Sequence, residues 1–222
     1  MRPRQPPPGI RAGALAPLAL GLLVMAGCVT PYDYSAYQAH MPQSILVLPP
    51  LNESVDANAP YSYLTTISEP LGERGYYIYP VAVIDAFMKD NGLPTPGEMH
   101  GVSLEKIDEI IGADAVLYVT IEDFGQEYIL LSSNTTVRAR ARLVDVKTGT
   151  QIWDGRVDFV QGSGGSGSLI ADAIVAAIEQ VVDNVADATH DAARMANRAL
   201  IQNDKRGLLV GPLHPDFGKT DS

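Results

Sequence analysis

The sequence predicts a single α/β domain, a mixed sheet of about five strands with helices packed on it and a long C-terminal helix. Three observations predict this class. The first half alternates apolar runs with helical patterns in the order β-α-β-α-β, which implies parallel pairing with right-handed crossovers. An antiparallel hairpin follows. A long segment with a helical apolar repeat then ends the domain, which we expect to span residues 44–210.

The first strand is predicted at Ser44–Leu48, a continuous apolar run of the kind that is buried on both faces of a sheet. Pro49 and Pro50 end its hydrogen bonding, because proline has no N–H to donate. A helix is predicted from Pro60, a good first-turn residue, to just before Gly75. A second, tyrosine-rich strand follows at Tyr76–Val81.

A short helix at Val83–Asp90 and a second helix lead to the third strand. Ser103 is the predicted N-cap of this second helix, and Gly112 closes it. The third strand, Ala115–Ile121, is apolar throughout and is expected at the centre of the sheet. Residues Tyr128–Leu131 are predicted to be extended.

The clearest hairpin joins strands at Val137–Val146 and Gln151–Val160 through a three-residue loop, Lys147–Gly149, with Gly149 in the left-handed conformation. This loop gives one charged face and one apolar face, and a slip of one residue would mix them. The facing pairs it predicts are Val137 with Phe159, Arg138 with Asp158, Arg142 with Asp154, and Leu143 with Trp153.

The segment Leu169–Ile201 has a seam of residues spaced alternately by four and three, as in a helix that packs along its length. Two interpretations stay open. The helix packs on the sheet, or its small second half forms the surface for a second subunit or partner. Leu208–Val210 is a possible short strand, and Gly211–Ser222 is a predicted tail. The seam residues are Ile174, Ile178, Val181, Val185, Ala188, Ala192, Met195 and Ala199.

The N-terminus has the pattern of a targeting signal. Three arginines precede an apolar run at 12–25 that is too short and too broken for a spanning helix, which needs about 20 residues. Val24–Cys28 resembles a bacterial lipobox, where signal peptidase cuts before the cysteine and the new N-terminus is acylated. Cys28 is the only cysteine in the sequence. We therefore expect residues 1–27 to be removed, S-diacylglycerol and N-palmitoyl groups on Cys28, and a tether over 28–43.

The charge balance limits the partners of the mature chain. Removal of residues 1–27 takes away three of the 16 basic residues and none of the 26 acidic ones, so 195 residues with a formal charge of −13 remain. Such a chain lacks the basic footprint of a nucleic-acid-binding protein, and its membrane attachment would rest on acyl chains. Val29, where an aspartate would retain the protein at the inner membrane, favours the outer membrane with the domain facing the periplasm; surface exposure stays open.

Two motifs suggest chemistry, but we interpret both as structural. Gly162–Gly167 matches the dinucleotide pattern G-x-G-x-x-G, yet it follows an antiparallel hairpin, so a flexible linker is the better interpretation. Ser103–Lys106 matches S-x-x-K and Lys147–Gly149 spells K-T-G, but the companion S-D-N is missing from the sequence. The four histidines lack metal-ligand spacing. We expect no catalytic, cofactor or metal site, and no enzyme.

Several blocks resemble, in order, a family of Gram-negative outer-membrane lipoproteins whose fold is similar to the N-terminal domain of TolB. The resemblance implies a non-enzymatic accessory or assembly component of a secretion or envelope complex. It also implies a protein partner such as a curli-channel-like lipoprotein, and a possible homodimer. The alternative is a periplasmic module that binds a peptide or glycan through the tyrosine-rich strand and tether. The blocks are Ser44–Asn52, Pro70–Tyr77, Gly112–Tyr118, Asp145–Trp153 and Gly211–Pro215.

Overall fold

The computed structural model describes residues 31–129, 132–162 and 185–219, and from Tyr32 onward they form one compact unit. The elements in chain order are α1 (Ser35–Ala39), β1 (Ser44–Val47), β2 (Leu51–Asn52), α2 (Ala59–Glu73), β3 (Tyr77–Ile78), α3 (Val81–Asp90), α4 (Pro96–His100), α5 (Leu104–Ile110), β4 (Ala115–Ile129), β5 (Ser132–Asp145), β6 (Gln151–Gly162) and α6 (Val185–Ile201).

The sheet has the order β3-β1-β4-β5-β6, with β2 also paired to β4. β1 runs parallel to both β3 and β4, while β4, β5 and β6 form an antiparallel meander. The predicted fold class is therefore confirmed. The parallel half has a central strand, β4, which is apolar on both faces because helices cover both sides of it.

The two prolines after β1 interrupt the pairing with β4, and the chain then pairs with β4 again. Leu48 N still donates to Leu117 O at 3.3 Å, and Pro49 and Pro50 supply no donor. The chain then returns to the sheet as β2, which pairs in parallel with β4 at Thr120 and Ile121. The segment between the prolines and α2 thus begins with a short parallel strand.

Two cores lie on opposite faces of the sheet. One packs α2 and α6 against the inner residues of all three long strands, and Trp153 is its largest member, 1% exposed. The other packs α3, α4 and α5 against the parallel half. No described helix packs on the outer face at the far ends of β5 and β6, where the side chains are charged.

All four predicted hairpin pairs are confirmed by the register of β5 and β6. The predicted loop is one residue too short. Asp145 N donates to Thr150 O at 2.9 Å, so four residues, 146–149, form the turn, and Gly149 has the expected positive φ of 70°. A bulge at Ile152 absorbs the extra residue and restores the register.

β4 is longer than the sequence indicates. It continues past Ile121 to Ile129, because a register shift between Ile121 and Asp123 lets the strand bend without leaving its partner. Gly125 accommodates a φ of 146° just beyond the shift.

Packed structure continues past both predicted ends of the domain. Residues 35–39 of the expected tether form α1, and the Tyr37 side chain is fully buried in the core. At the other end, Gly211 N donates to Arg74 O at 2.7 Å and Leu213 N donates to Gly75 O at 3.0 Å, so the start of the expected tail is packed. Leu208 is buried but belongs to a coil rather than the suggested strand.

One side of the described part of the C-terminal helix belongs to the hydrophobic core. Its predicted bulky seam at Ile174, Ile178 and Val181 lies outside the described residues. Ala192, which the second interpretation assigns to a subunit or partner surface, is fully buried between α6 and the sheet, because small side chains let the helix approach the sheet closely. Asn197 is also fully buried, and its Nδ2 donates to Tyr63 O at 3.0 Å and to Thr66 Oγ1 at 2.8 Å on α2.

Candidate functional site

The predicted lipid site, Cys28, lies outside the described residues. The compact unit of the structure begins at Tyr32, which follows Cys28 by only four residues. A chain of that length reaches at most about 14 Å. The expected tether over 28–43 would have reached roughly 50 Å when extended. An acyl group on Cys28 would therefore hold the folded domain close to the bilayer.

Tyrosines fasten this N-terminal segment to the C-terminal segment. We call Tyr32, Tyr34, Tyr37 and Tyr76 the tyrosine lock. Tyr37 OH donates to Tyr76 OH at 2.6 Å, and Tyr76 OH donates to Leu209 O at 2.6 Å. Burial raises the pKa of Tyr76 to about 12 and that of Tyr37 further, so both hydroxyls stay protonated and able to donate.

The outer end of the lock lies on the edge strand β6. Tyr34 OH donates to Gly207 O at 2.6 Å. Tyr32 OH donates to Asp154 Oδ1 at 3.2 Å and accepts from Asp154 N at 3.0 Å, and the Arg206 guanidinium lies 5.0 Å from the Tyr32 ring centroid. The residue nearest to Cys28 among those packed on the domain is thus held by both backbone and side-chain contacts.

A cleft of about 360 Å³ opens beyond the end of β1, between α2, α3 and the start of α4. We call it the proline-lined cleft. Its size is near the lower limit of small-molecule sites, which span about 300–1,000 Å³. Its lining consists of Pro49, Leu51, Asn52, Ala57, Pro60, Tyr61, Leu64, Asp85, Lys89, Pro94, Pro96 and Gly97.

The two charged groups of the proline-lined cleft neutralise each other. Lys89 Nζ lies 2.6 Å from Asp85 Oδ2, one helical turn away on α3, and 5.4 Å from the Tyr61 ring centroid. The Asp85 hydrogen bond is the main cause that raises the pKa of Lys89. A protonated lysine paired with a carboxylate is a poor general base. The exposed Tyr61 ring, by contrast, offers an apolar surface to a ligand.

His100 contacts the backbone of Pro49, one of the residues that line the cleft. Its Nε2 donates to Pro49 O at 2.9 Å, and its ring packs edge-on against Tyr118 at 5.2 Å. Arg142 covers the same tyrosine, with its guanidinium 4.1 Å from the ring centroid. Burial lowers the pKa of His100 from its ordinary value, and the nearby Arg142 charge acts in the same direction.

The lowered pKa of His100 predicts acid sensitivity. Because the folded state holds the proton less tightly than the unfolded chain, the stabilisation by neutral His100 is complete above the unfolded pKa of about 6.5. It is lost as the pH falls through the lower folded-state pKa. We expect the melting temperature of the wild type to fall more between pH 7.5 and pH 5 than that of His100→Gln. The control is His190→Gln, on an exposed position, which should retain the wild-type slope; equal slopes for all three proteins would contradict the prediction.

The predicted serine motif is structural in the fold. Ser103 Oγ accepts from Lys106 N at 3.4 Å and caps α5, as expected. The K-T-G turn does lie against α5, since a Cβ on Gly149 would be 3.7 Å from Leu104 Cδ1. However, Thr148 Oγ1 donates to Asp145 Oδ1 at 2.5 Å, so its hydroxyl serves the turn. No activated hydroxyl nucleophile is assembled there.

The remaining sequence candidates separate in space. The Gly162–Gly167 motif lies outside the described residues beyond Gly162. Glu122 forms ion pairs with Arg140 at 2.9 Å and Arg156 at 2.6 Å, and Asp123 pairs with Arg138 at 3.2 Å. Within residues 31–129, 132–162 and 185–219, no group of three or more potential ligands could hold a metal ion, and no helix is long and apolar enough to cross a membrane.

Sequence reasoning missed the tyrosine lock and the proline-lined cleft. The signal for the lock was present, because three tyrosines within six residues are unusual in a solvated tether, which is normally poor in aromatic residues. The cleft had only a weak signal. Its prolines, Pro49, Pro60, Pro94 and Pro96, mark the ends of separate elements, and nothing in the sequence shows that those ends converge.

Comparisons with known proteins agree with these boundaries. The model of a family described as "Putative lipoprotein GNA1162-like" matches residues 32–213. A "Putative lipoprotein" of Neisseria meningitidis serogroup B is 38% identical over 207 residues, covering 89% of this chain and 96% of that protein. The crystal structure of lipoprotein GNA1162 from N. meningitidis is 46% identical and covers 57% of this chain and 88% of that chain, with a TM-score of 0.53. The C-terminal domain of LpoB from Escherichia coli is 19% identical over 54% of this chain and 84% of that chain, with a TM-score of 0.37. The family match begins at Tyr32, so the tyrosine lock lies within the shared domain.

Proposed function

This chain belongs to the GNA1162-like lipoprotein family, and on that premise we propose that it is a lipid-anchored accessory protein of the bacterial envelope. Acylated Cys28 holds it at the outer membrane with the domain facing the periplasm. It acts without catalysis, as an assembly component of a secretion or envelope complex. A protein partner, such as a curli-channel-like lipoprotein, recognises the surface of the domain.

One observation carries this proposal. The compact unit starts at Tyr32, four residues after the lipobox cysteine, and its first tyrosines are hydrogen-bonded to the opposite end of the chain. An enzyme or receptor on a long tether could sample the periplasm, whereas this domain would stay within about 14 Å of its anchor point. Such placement suits a protein that positions partners at the membrane.

The absence of an assembled reaction centre in the described residues supports a non-enzymatic role. The charged groups of the proline-lined cleft are paired, Ser103 caps a helix, and Thr148 is bonded to Asp145. General acid–base and nucleophilic catalysis both need a group with an adjacent partner that activates it.

A second candidate function is the binding of a peptide or glycan. The proline-lined cleft supports it, because an exposed Tyr61 ring and an amide, Asn52, line a concave surface of suitable size. The residues first assigned to such a site support it less. Tyr37 of the expected tether is buried in the core, and of the second-strand tyrosines Tyr77 is half-exposed on the edge strand β3.

The anchor is tested with Cys28→Ser in cells labelled with radioactive palmitate. We expect the variant to lose the label completely and to remain an unlipidated protein, since the Cys28 thiol carries the first lipid. Val29→Asp is the matched control for sorting. It should keep the label and move from the outer- to the inner-membrane fraction. Equal labelling of Cys28→Ser and wild type would end the lipoprotein proposal, and an outer-membrane Val29→Asp would end the assigned sorting.

A further inference from the structure

The proline-lined cleft offers a ligand more hydrogen-bond acceptors than donors. Four of its twelve lining residues are prolines, which have no N–H to donate. The one ammonium group among the lining side chains, Lys89 Nζ, already donates to Asp85 Oδ2 at 2.6 Å and to Tyr61 OH at 3.4 Å. The Asn52 amide is bonded within its own loop, where Nδ2 donates to Asp56 O at 2.8 Å. The cleft therefore favours a ligand that brings donors over one that only accepts, such as a carboxylate or a phosphate.

The surroundings of the cleft carry uncompensated negative charge. Asp56, Asp90 and Glu98 each directly neighbour a lining residue in the chain, on three different segments. No described residue forms an ion pair with any of the three, whereas the base of the cleft, Lys89, is neutralised by Asp85. Consecutive Cα atoms are about 3.8 Å apart, so these carboxylates lie within about a Debye length, ~8 Å, of the lining. A cleft surrounded by one sign of charge concentrates ligands of the opposite sign.

We propose that the proline-lined cleft binds a basic peptide segment of a partner protein, in which lysine or arginine flanks an apolar residue. The apolar residue packs on the ring of Tyr61, which is 57% exposed, and against Leu64. The flanking cations lie towards Asp56, Asp90 and Glu98. This assignment rests on the second candidate function, the binding of a peptide or glycan, and it names the ligand of that cleft.

Charge separates this ligand from the other occupants of such a cleft. A neutral glycan also brings donors and can stack on Tyr61, but it gains nothing from three nearby carboxylates. Residues 163–184 of the chain contain three acidic residues and no basic one, and the mature chain as a whole has a formal charge of −13. Neither this segment nor a second copy therefore has a net charge that complements the cleft. A basic segment of a different protein does.

The test uses the full chain in a polyoxyethylene detergent, which carries no sugar, and a phage-displayed library of random heptapeptides. We expect the selected peptides to place lysine or arginine beside an apolar residue. The affinity of the most enriched peptide is then measured by isothermal titration calorimetry. Tyr61→Ala should weaken its binding by about tenfold, because the aromatic anchor surface is lost. Tyr77→Ala is the matched control. It removes a ring that is 51% exposed beside the start of β1, whereas the cleft opens beyond the end of β1, so binding should stay unchanged.

Two double variants test the charge. Asp90→Asn with Glu98→Gln removes two of the unpaired charges and keeps the capping box of α4, since glutamine serves in place of glutamate there. We expect about fivefold weaker binding, with a smaller dependence on salt. Asp108→Asn with Glu109→Gln removes two charges near the end of α5, which leads into the start of β4. This control should bind the peptide like the wild type.

Each contrary outcome is distinguishable. Selection of acidic or uncharged peptides, or equal effects of the two double variants, overturns the proposal. The glycan probe is N-acetylchitotetraose. Its binding, lost in Tyr61→Ala, with no peptide selected, also overturns the basic ligand but leaves the second candidate function standing. If neither peptide nor sugar binds, both fail, while palmitate labelling of Cys28 tests the anchored accessory role separately.

Discussion

Replacing Ala192 with glutamate is expected to unfold the domain rather than to disturb only an interface. Ala192 is fully buried between α6 and the sheet, in the same core as Trp153 and Leu200. A carboxylate at this position would lose its hydration without an ion partner, and its extra volume would push the helix off the sheet. Costs above about 4 kcal/mol are typical of buried, unpaired charges. Circular dichroism melts would show a lost or strongly lowered transition.

His190→Glu provides the control for Ala192→Glu. It introduces the same side chain into the same helix two residues earlier, on an exposed position. Surface substitutions of this kind usually change the free energy of unfolding by less than about 0.5 kcal/mol. If Ala192→Glu instead melted like His190→Glu and altered only self-association, the burial of Ala192 would be refuted and the interpretation of the helix as a subunit surface would be favoured.

The hairpin shows what sequence patterning determines well. Alternation of charged and apolar residues on two strands has one register in which both faces are consistent, and the fold uses that register. The turn is determined less well. A four-residue turn with a bulge at Ile152 and a three-residue turn without one lead to the same pairing from Leu143 onward. Patterning is therefore insensitive to this local difference, although both turns need a left-handed residue at Gly149.

The misassigned regions have a common physical cause, which is that burial is decided by distant partners. Residues 35–39 have no apolar period, yet Tyr37 is buried. Its hydroxyl bonds to Tyr76 OH, which in turn donates to Leu209 O, and both partners are remote in sequence. Similarly, the small residues of α6 suit either a close subunit contact or a close contact with a sheet. The contact with the sheet is the one that forms. Gly155 on β6 has no side chain, and Leu200 of α6 and Trp153 fill the space that a side chain there would occupy.

The candidate site was predictable in part. The lipobox-like pattern and the single cysteine are local signals, and they predict the anchor at Cys28 without any knowledge of the fold. The attachment of the N-terminal segment to β6 could be found only from the contact between Tyr32 and Asp154. The proline-lined cleft could not be predicted, because it forms only where three helices converge in the fold. Local chemistry can be read from a sequence, whereas surfaces formed by convergence require the structure.

Tyr37→Ala is expected to have the second-largest effect, and it tests whether the N-terminal segment is part of the fold. The substitution removes a fully buried ring and the hydrogen bond that Tyr76 OH accepts from Tyr37, while Tyr76 OH keeps its own bond to Leu209 O. Large-to-small changes of buried aromatic residues cost about 3–5 kcal/mol, with the higher values where the surroundings do not collapse. We expect a clearly lowered melting temperature, together with faster hydrogen exchange and proteolysis in residues 32–43.

Two variants separate the ring from its hydroxyl and from tyrosines in general. Tyr37→Phe keeps the packing and removes one donor, while Tyr76 OH still donates to Leu209 O, so a loss of only about 1 kcal/mol is expected. Tyr61→Ala removes a ring that is 57% exposed and should change stability little. If Tyr37→Ala melted like Tyr61→Ala, residues 32–43 would be a loose tether after all. The reach from Cys28 would then extend to roughly 50 Å, and the placement of the domain against the membrane would lose its physical basis.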